Sequence, residues 1–477
     1  MKTFTYDKVP LKIKFYGGFG AFGINLTTGL FLTWTQIFYI EMIKINPLMW
    51  VLAWIIYFIW NALNDPIFGH ISDKTRTKYG RRIPYLMLCG PLLSISFICI
   101  YFVPTYSSDL VKFFWLLISL LIYDSFFTMV SLCFSSLLAE LSINPEERAI
   151  INIFSGLGAG IAVALTYALP ILFIFFDSLP LNQEIFSFQI IALLLAIFGA
   201  LFLAFTAFGV KERRELLPEK EETLGLWRAI KNVLSNKSFI TYVIFNFTMA
   251  YVLFSVNSNL PFYLEYVLDI SLENIISSTP LLFFLIFTVI GLPVGLILTK
   301  KIGNKRALFY LSILGLTGFV LLTFANDIYL VNISFIIVGF GFSGQSLLVF
   351  TLLGDIIDKD ELETGVRREG AYFGTDALIT RPAQSLAAGI SGLVFFLTNF
   401  QQNLGVGENQ PESAIFGIQM LLGIIPAIFI TLGLISLWYY PLDPLKKEYK
   451  EMKKQILVLH EEKLHRLKER LEKKSES

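Results

Sequence analysis

The stretch Trp60–Arg82, WNALNDPIFGHISDKTRTKYGRR, decides how the rest of the chain reads. An apolar run that begins near residue 48 ends here in Asp65 and Pro66, and then passes into a strongly basic turn. A looser copy lies at Gly291–Arg306, GLPVGLILTKKIGNKR. In each, a proline near the end of an apolar run is followed by a glycine two or three residues on. A basic turn comes next, in which a glycine precedes basic residues: Gly80-Arg81-Arg82, then Gly303-Asn304-Lys305-Arg306. Two copies in opposite halves of the 477 residues read as two repeated units.

Working outward from this pair, the chain is 55% hydrophobic and only 16% charged, against about 45–50% apolar and about 25% charged in soluble proteins. The apolar residues come in runs of about 20, the length a helix needs to cross ~30 Å of hydrocarbon. Glycine and proline occur throughout the runs, as bilayer helices tolerate, and the 46 phenylalanines suit a lipid-facing surface. Twelve spans are expected, at about 15–40, 48–71, 84–103, 112–138, 150–176, 186–208, 239–265, 276–299, 307–325, 328–352, 371–398 and 414–440. No cleavable leader is expected before them, since Lys2, Lys8, Lys12 and Lys14 stand before a run too long for a signal peptide's apolar region.

Lysine and arginine orient the bundle. Of the 38 basic residues, only Lys44, Lys112 and Arg381 fall outside the segments on one side. Those segments should be cytoplasmic, with both termini inside a plasma membrane. The opposite loops are short and acidic (Asp177 and Glu184; Glu265, Asp269 and Glu273; Glu408 and Glu412). The organisation expected is a six-helix half over 1–208, a cytoplasmic linker over 209–238, a second six-helix half over 239–440 and a charged helix over 441–477. Trp227, Ile230 and Leu234 in the linker fall at the spacing of an amphipathic surface helix. Leu457, Leu464 and Leu471 mark the tail as a solvated or interfacial helix. Two parallel six-helix repeats are the plan of major facilitator transporters, so the fold class expected is all-α, membrane-embedded and pseudo-repeated. The first turn resembles that superfamily's cytoplasmic motif in Gly69, Asp73, Gly80, Arg81 and Arg82. Gly69 would allow close helix contact there, and Asp73 with the arginines would form charge pairs across the seam between halves.

Ionisable side chains in hydrocarbon cost at least ~2.5–3.5 kcal/mol each, so they mark function. Asp65, Asp124, Asp376 and Arg381 are the candidates. Asn61, Asn64 and Asp65 are spaced i, i+3, i+4 and share one helix face, and Pro66 leaves the carbonyl of Ala62 without its usual donor. Such an oxygen-rich cluster suits a hard cation, whereas a lone buried aspartate suits a proton. Asp124 and Thr128 stack on one face of the fourth run, where Ser131, Ser135 and Ser136 continue a polar stripe. Arg381, followed by Pro382 and Gln384, lies too deep to snorkel and needs a carboxylate or a substrate as partner. Asp376 is too far round the helix to be that partner. Asn246, Asn257, Asn259, Gln345 and Ser346 are amides and hydroxyls that can read a sugar or join helices.

With these residues in view, the chain resembles the glycoside–pentoside–hexuronide:cation symporter family, whose best-known members are the melibiose permeases. The lysolipid symporters of animals are distant relatives. The resemblance rests on GGFGAFGIN (17–25), NALNDPIFG (61–69), AELSINPEERA (139–149) and GDIIDKDELETGVRREGAYFG (354–374). It implies cation-coupled symport, with Asn61, Asn64, Asp65 and Thr128 at the cation site. Asn61 stands where melibiose permeases carry a second aspartate, which weakens the case for Na⁺ alone, points to H⁺ coupling or a loss of strict coupling, and leaves Asp65 as the lone carboxylate for coupling. Arg381 stands where the family has a lysine. Asn25, Ser131, Ser135 and Gly156 replace an aspartate, an aspartate, a tryptophan and an arginine of the sugar site, so galactoside specificity does not carry over.

The function expected is therefore symport of a sugar or glycoside with H⁺ or Na⁺ by alternating access. The cation would sit at Asp65, Asn61, Asn64 and Thr128. The substrate would meet Asn25, Asp124, Ser131, Arg381, Gln384, Asn257 and Gln345. Gly69, Asp73, Arg81 and Arg82 would gate. Transport of a lysolipid or other amphiphile is the alternative, since Arg381 can meet a phosphate. A sensor would carry a signalling domain, which the short charged tail is not. An enzyme is not expected: His70, His460 and His465 lie in turns or tail, and Cys89, Cys99 and Cys133 have neither ligand nor disulfide spacing. No cofactor and no metal beyond Na⁺ at Asp65 are expected. The partners expected are a small-molecule substrate and membrane lipid, with no nucleic acid, around a monomer.

Overall fold

The protein is described from a computed structural model over residues 9–75, 77, 80–141, 145–168, 181–210, 226–271, 274–366, 368–402, 409–456 and 458–459. Its helices are α1 (Leu11–Ile37), α2 (Pro47–Lys74), α3 (Ile83–Tyr101), α4 (Asp109–Glu140), α5 (Pro145–Tyr167), α6 (Leu181–Gly209), α7 (Leu226–Leu234) and α8 (Lys237–Tyr266). There follow α9 (Thr279–Ile302), α10 (Asn304–Thr323), α11 (Ile328–Thr364), α12 (Glu369–Thr380), α13 (Ala383–Leu397), α14 (Glu412–Leu422) and α15 (Ile424–Trp438). Among the described residues, ten spans are long and apolar enough to cross a membrane. Helix α1 and the broken pair α12–α13 complete twelve.

Local sequence sets the helix ends. Asn46 accepts from the Leu48 N–H at 2.9 Å with Pro47 in the first turn of α2, and Asp327 accepts from the Leu330 N–H at 2.9 Å to start α11. Such caps satisfy donors that the helix itself leaves open. Gly365 ends α11 with φ 75°, a left-handed conformation that glycine adopts without strain. Helix α11 runs twelve residues past the expected span end at 352. The eleventh run is broken where expected to be continuous: Arg381 and Pro382 form a turn between α12 and α13. Proline has no N–H to continue the ladder.

Helix α2 shows how the chain divides lipid from interior. Leu52, Ile55, Ile56, Ile59, Leu63, Ile67 and Ile71 are exposed on one face, while Trp50, Trp54, Tyr57, Asn61, Asn64 and Asp65 are buried on the other. In a bilayer the apolar stripe belongs outside, so the polar face turns inward. Within the first six spans, α1 packs on α5 and α6, α3 on α4 and α6, and α2 on α4. In the later spans α11 packs on α9 and α10, and α8 on α15. Glycines permit the tightest crossings. A Cβ on Gly23 would lie 2.6 Å from the Gly199 carbonyl oxygen, and one on Gly18 would lie 3.0 Å from that of Phe154. This is the close approach that small residues give bilayer helices, and it accounts for GGFGAFGIN. Lys14 and Glu147 form a buried pair at 2.7 Å, and Glu147 also accepts from the Val9 N–H at 3.1 Å. That ties the start of α1 to the PEERA turn.

The two sets of helices meet along α2–α13, α1–α8, α2–α12 and α5–α9. At the end carrying the acidic loops, the seam is hydrogen-bonded. Gln36 Nε2 donates to Asn259 Oδ1 (3.1 Å), Ser258 Oγ to the Leu32 carbonyl (3.0 Å), Trp50 Nε1 to the Ala388 carbonyl (3.3 Å) and Gln402 Nε2 to the Ile45 carbonyl (2.7 Å). The bundle is closed at that end. Toward the basic end, a Cβ added at Gly69, Gly354 or Gly374 would meet nothing within 4 Å. The tail helix at 447–456 is docked rather than free in solvent: Lys453 Nζ reaches Asp355 at 2.7 Å and Asp358 at 2.6 Å, Tyr449 OH donates to Asp355 at 2.9 Å, and Met452 and Ile456 are buried. Linker residues 211–225 and the leucines at 457, 464 and 471 lie outside the described residues.

Candidate site between the two halves

Midway along the seam, α2, α4 and the α12–α13 break bring three charged or polar groups together. Arg381 donates from Nη1 to Asp65 Oδ1 and, at 3.2 Å, to Thr128 Oγ1. This contact joins the two halves, since Asp65 and Thr128 belong to the first and Arg381 to the second. The turn at Arg381–Pro382 delivers the guanidinium into the seam.

The structure redraws the expected cluster in one respect. Asn61 and Asn64 share a face with Asp65, but their amide nitrogens turn to Asp124. Asn61 Nδ2 donates to Asp124 Oδ1 at 2.8 Å, and Asn64 Nδ2 donates to Asp124 Oδ2. Tyr57 OH, one helical turn before Asn61, donates to Asp124 Oδ1 at 2.9 Å. Asp124 is thus gripped by three neutral donors and is not bonded to Arg381. Asp65 is not the lone carboxylate of the site, because Asp124 supplies a second from α4. Both are buried, at 8% and 1% exposure. Sequence reading missed Tyr57, although its i, i+4 spacing to Asn61 was the available signal.

Turning the two amides toward Asp124 leaves their oxygens without donors. Asn61 Oδ1, Asn64 Oδ1 and Asp65 Oδ2 are all buried and unpartnered. Three such oxygens from one helix face are a donor set of the kind that hard cations take, and buried polar atoms are rarely left unpaired without a reason. If both carboxylates are ionised, the cluster holds two negative charges against one guanidinium.

The expected substrate residues fall into separate places. Asn25 donates to the Ala21 carbonyl of its own helix at 2.8 Å. Ser131 is half-buried, and its carbonyl accepts from the exposed Ser135 hydroxyl. Gln384 is half-buried on the first turn of α13. Asn257 belongs to the closed acidic end, where its Oδ1 accepts from Thr33 at 3.4 Å and its amide donates to the Leu253 carbonyl at 2.7 Å. Gln345 donates to Asn246 Oδ1 at 2.9 Å, within a second polar cluster that also holds Asp376. Of the expected gating residues, Gly69 has open space around the position a Cβ would take, with nothing within 4 Å. Arg82 donates to Ser72 Oγ of its own half at 2.6 Å, Arg81 is half-buried, and the Asp73 side chain lies outside the described residues. A Cβ on Gly156 would meet nothing within 4 Å.

Apolar spanning helices around a polar site between two bundles define the class, a multi-pass transport protein. The family model of MFS/sugar transport proteins matches residues 16–444, and the chain belongs to this family, in the glycoside–pentoside–hexuronide:cation symporter branch of the major facilitator superfamily. It is a transporter, not an enzyme. Among similar proteins, the sodium-dependent lysophosphatidylcholine symporter 1 of Mus musculus is 26% identical over 90% of this chain and 84% of its own. The isoprimeverose transporter of Lactiplantibacillus pentosus is 22% identical over 92% and 90%, and the glucuronide carrier protein homolog of Escherichia coli is 23% identical over 83% and 84%. Two solved structures share the fold. The nucleoside transporter NupG has a TM-score of 0.63 at 15% identity, covering 90% of this chain and 100% of that one. The inward-open xylose transporter XylE from E. coli has a TM-score of 0.60 at 15% identity, covering 93% and 98%.

Proposed function

We propose that the chain is a symporter that moves a sugar or glycoside together with Na⁺ or H⁺ by alternating access. The observation that carries this reading is the charge deficit at the seam: Asp65 and Asp124 face a single guanidinium, beside three buried oxygens that lack donors. A cation entering at Asp65 Oδ2, Asn61 Oδ1 and Asn64 Oδ1 neutralises Asp65 in place of the guanidinium. It also competes with Arg381 for Asp65. Arg381 bridges the halves, so its release changes the seam, and the freed guanidinium turns to the substrate. Coupling then follows from mutual exclusion at one carboxylate. A proton taken by either carboxylate has the same effect on the charge.

In this reading the basic end is cytoplasmic and the protein lies in the plasma membrane. The Gln36–Asn259 and Trp50–Ala388 contacts form the outer seal, and the half-buried Gly69 face is the surface that closes in the opposite state, with Arg81 and Arg82 taking part. Lysolipid transport is the second reading. It is favoured by the likeness to a lysophosphatidylcholine symporter and by a guanidinium at the seam that suits a phosphate as well as a carboxylate. Proteoliposome uptake with imposed Na⁺ and H⁺ gradients, across a panel of sugars, glycosides and lysophosphatidylcholine, separates the readings. Accumulation driven by either gradient supports symport. Uptake that only equilibrates for every solute moved contradicts it.

A further inference from the structure

A further buried carboxylate stands apart from the Arg381 cluster. Asp376, on α12, is 6% exposed. It accepts from one nitrogen, Asn246 Nδ2, at 3.0 and 3.1 Å, and Tyr242 OH of α8 also faces it. Asn246 Oδ1 is held by Gln345 Nε2 of α11 at 2.9 Å, which fixes the amide so that its N–H groups, not its oxygen, meet the carboxylate. Gln345 Oε1 ends this chain, buried and without a donor.

The cationic groups on α12, its flanks, α7 and α8 are paired elsewhere or exposed. Arg381, five residues on, donates to Asp65 of α2 and to Thr128. Arg368 forms a two-pronged pair with Asp360 of α11 at 2.6 and 3.0 Å. Lys231 of α7 and Lys237 of α8 are exposed. Tyr242 is the titratable group that meets the carboxylate. Among the described residues, then, the partners of Asp376 are neutral donors.

We propose that Asp376 is a proton-binding site in the second half, separate from the carboxylates that face Arg381. A carboxylate with only neutral partners at this depth is costly when ionised, and protonation removes the charge. The surroundings select a proton over a metal cation. A hard cation needs several converging oxygens, whereas here nitrogen and hydroxyl donors point at the carboxylate. The step is simple proton uptake: one O–H bond forms on the carboxyl group, and no co-reactant is needed. Tyr242, whose OH faces the carboxyl group, can accept from the carboxylic acid with its hydroxyl oxygen. The repeated pairing of a tyrosine with an asparagine four residues on, Tyr57–Asn61 at Asp124 and Tyr242–Asn246 at Asp376, gives each half one carboxylate held by neutral donors.

The test is infrared difference spectroscopy of the full chain in lipid vesicles, titrated through neutral pH with no substrate and no sodium. The wild-type protein should show a carboxylic C=O band that is lost in Asp376→Asn and kept in Asp65→Asn. Tyr242→Phe, which retains the carboxyl group but removes one hydrogen bond, should shift that band to higher frequency. A band set unchanged by both Asp376→Asn and Tyr242→Phe would overturn the proposal. The phenylalanine variant gives the answer even if the asparagine variant does not fold. The readout is independent of gradient-driven uptake, so failure of symport and failure of this site are told apart.

Discussion

At the scale of single residues, the arrangement rests on three side chains, Asp65, Asp124 and Arg381. Asp124→Asn removes the second negative charge while keeping the shape. It should lower the apparent cation affinity at least about tenfold, equivalent to ~1.4 kcal/mol, while solute exchange down its gradient continues. Cation-dependent protection in a ligand-binding melt measures this, and an unchanged affinity would show that Asp65 acts alone. Arg381→Lys keeps the charge but loses the planar fork that reaches both Asp65 and Thr128. Concentrative uptake should fall severalfold, and uptake equal to wild type would show that a point charge suffices. Asp65 and Arg381 were legible in the sequence because ionisable residues stand out in apolar runs. The grouping was not. Helix spacing places Asn61, Asn64 and Asp65 on one face, but it does not say which neighbouring helix offers the amides a better acceptor, and α4 offers Asp124.

At the scale of elements, the glycines of α1 and the docked tail make separate predictions. Gly23→Ala puts a methyl group against the Gly199 carbonyl, and such overpacking costs typically about 1–3 kcal/mol. The unfolding midpoint in detergent should drop. Gly69→Ala, whose new atom meets nothing within 4 Å, should leave it unchanged, and equal midpoints for the two variants would refute the packing argument. The tail helix is pinned by Lys453. Burial alone would lower the Lys453 ammonium, but Asp355 and Asp358 outweigh it and hold the group above the ordinary lysine value. The pinning is therefore complete below the ordinary lysine range and lost as pH rises through the raised value. Lys453 is about a third exposed, so Lys453→Ala should weaken docking by no more than roughly 1 kcal/mol. A probe on the tail should gain mobility, and an immobile probe would mean that buried Met452 and Ile456 hold it instead. Twelve spans could be read from run lengths. The break at Arg381–Pro382 and the long α11 could not, because hydropathy registers neither a local turn nor a helix that continues past the membrane.

At the scale of the whole molecule, the repeated basic turns and the basic-residue alternation announced two six-helix units, and the packing of the helices agrees with that reading. Which end is closed was invisible in the sequence, because the seal uses ordinary amides, indoles and carbonyls such as Gln36, Asn259 and Trp50. Glu41, beyond α1, adds an acid-sensitive element to that end. Burial first, with Glu265 adding to it, pushes the Glu41 carboxyl up to about 8 against the opposing effects of Tyr266 and Lys44. A group raised in the closed state stabilises closure fully below the ordinary carboxylate value and progressively less as pH rises toward about 8. Cysteine accessibility across the acidic-end seam should accordingly increase from mildly acidic to mildly alkaline pH, and Glu41→Gln should flatten the dependence. A pH-dependence unaltered in that variant would locate it elsewhere. In the proposed mechanism, cation and Arg381 exclude one another at Asp65. This exclusion is tested most directly by comparing wild type with Asp65→Asn in proteoliposomes, measuring both gradient-driven accumulation and exchange of the same solute. Mutual exclusion requires that the variant lose accumulation under every Na⁺ and H⁺ gradient and retain exchange. Accumulation at wild-type levels in Asp65→Asn would contradict it.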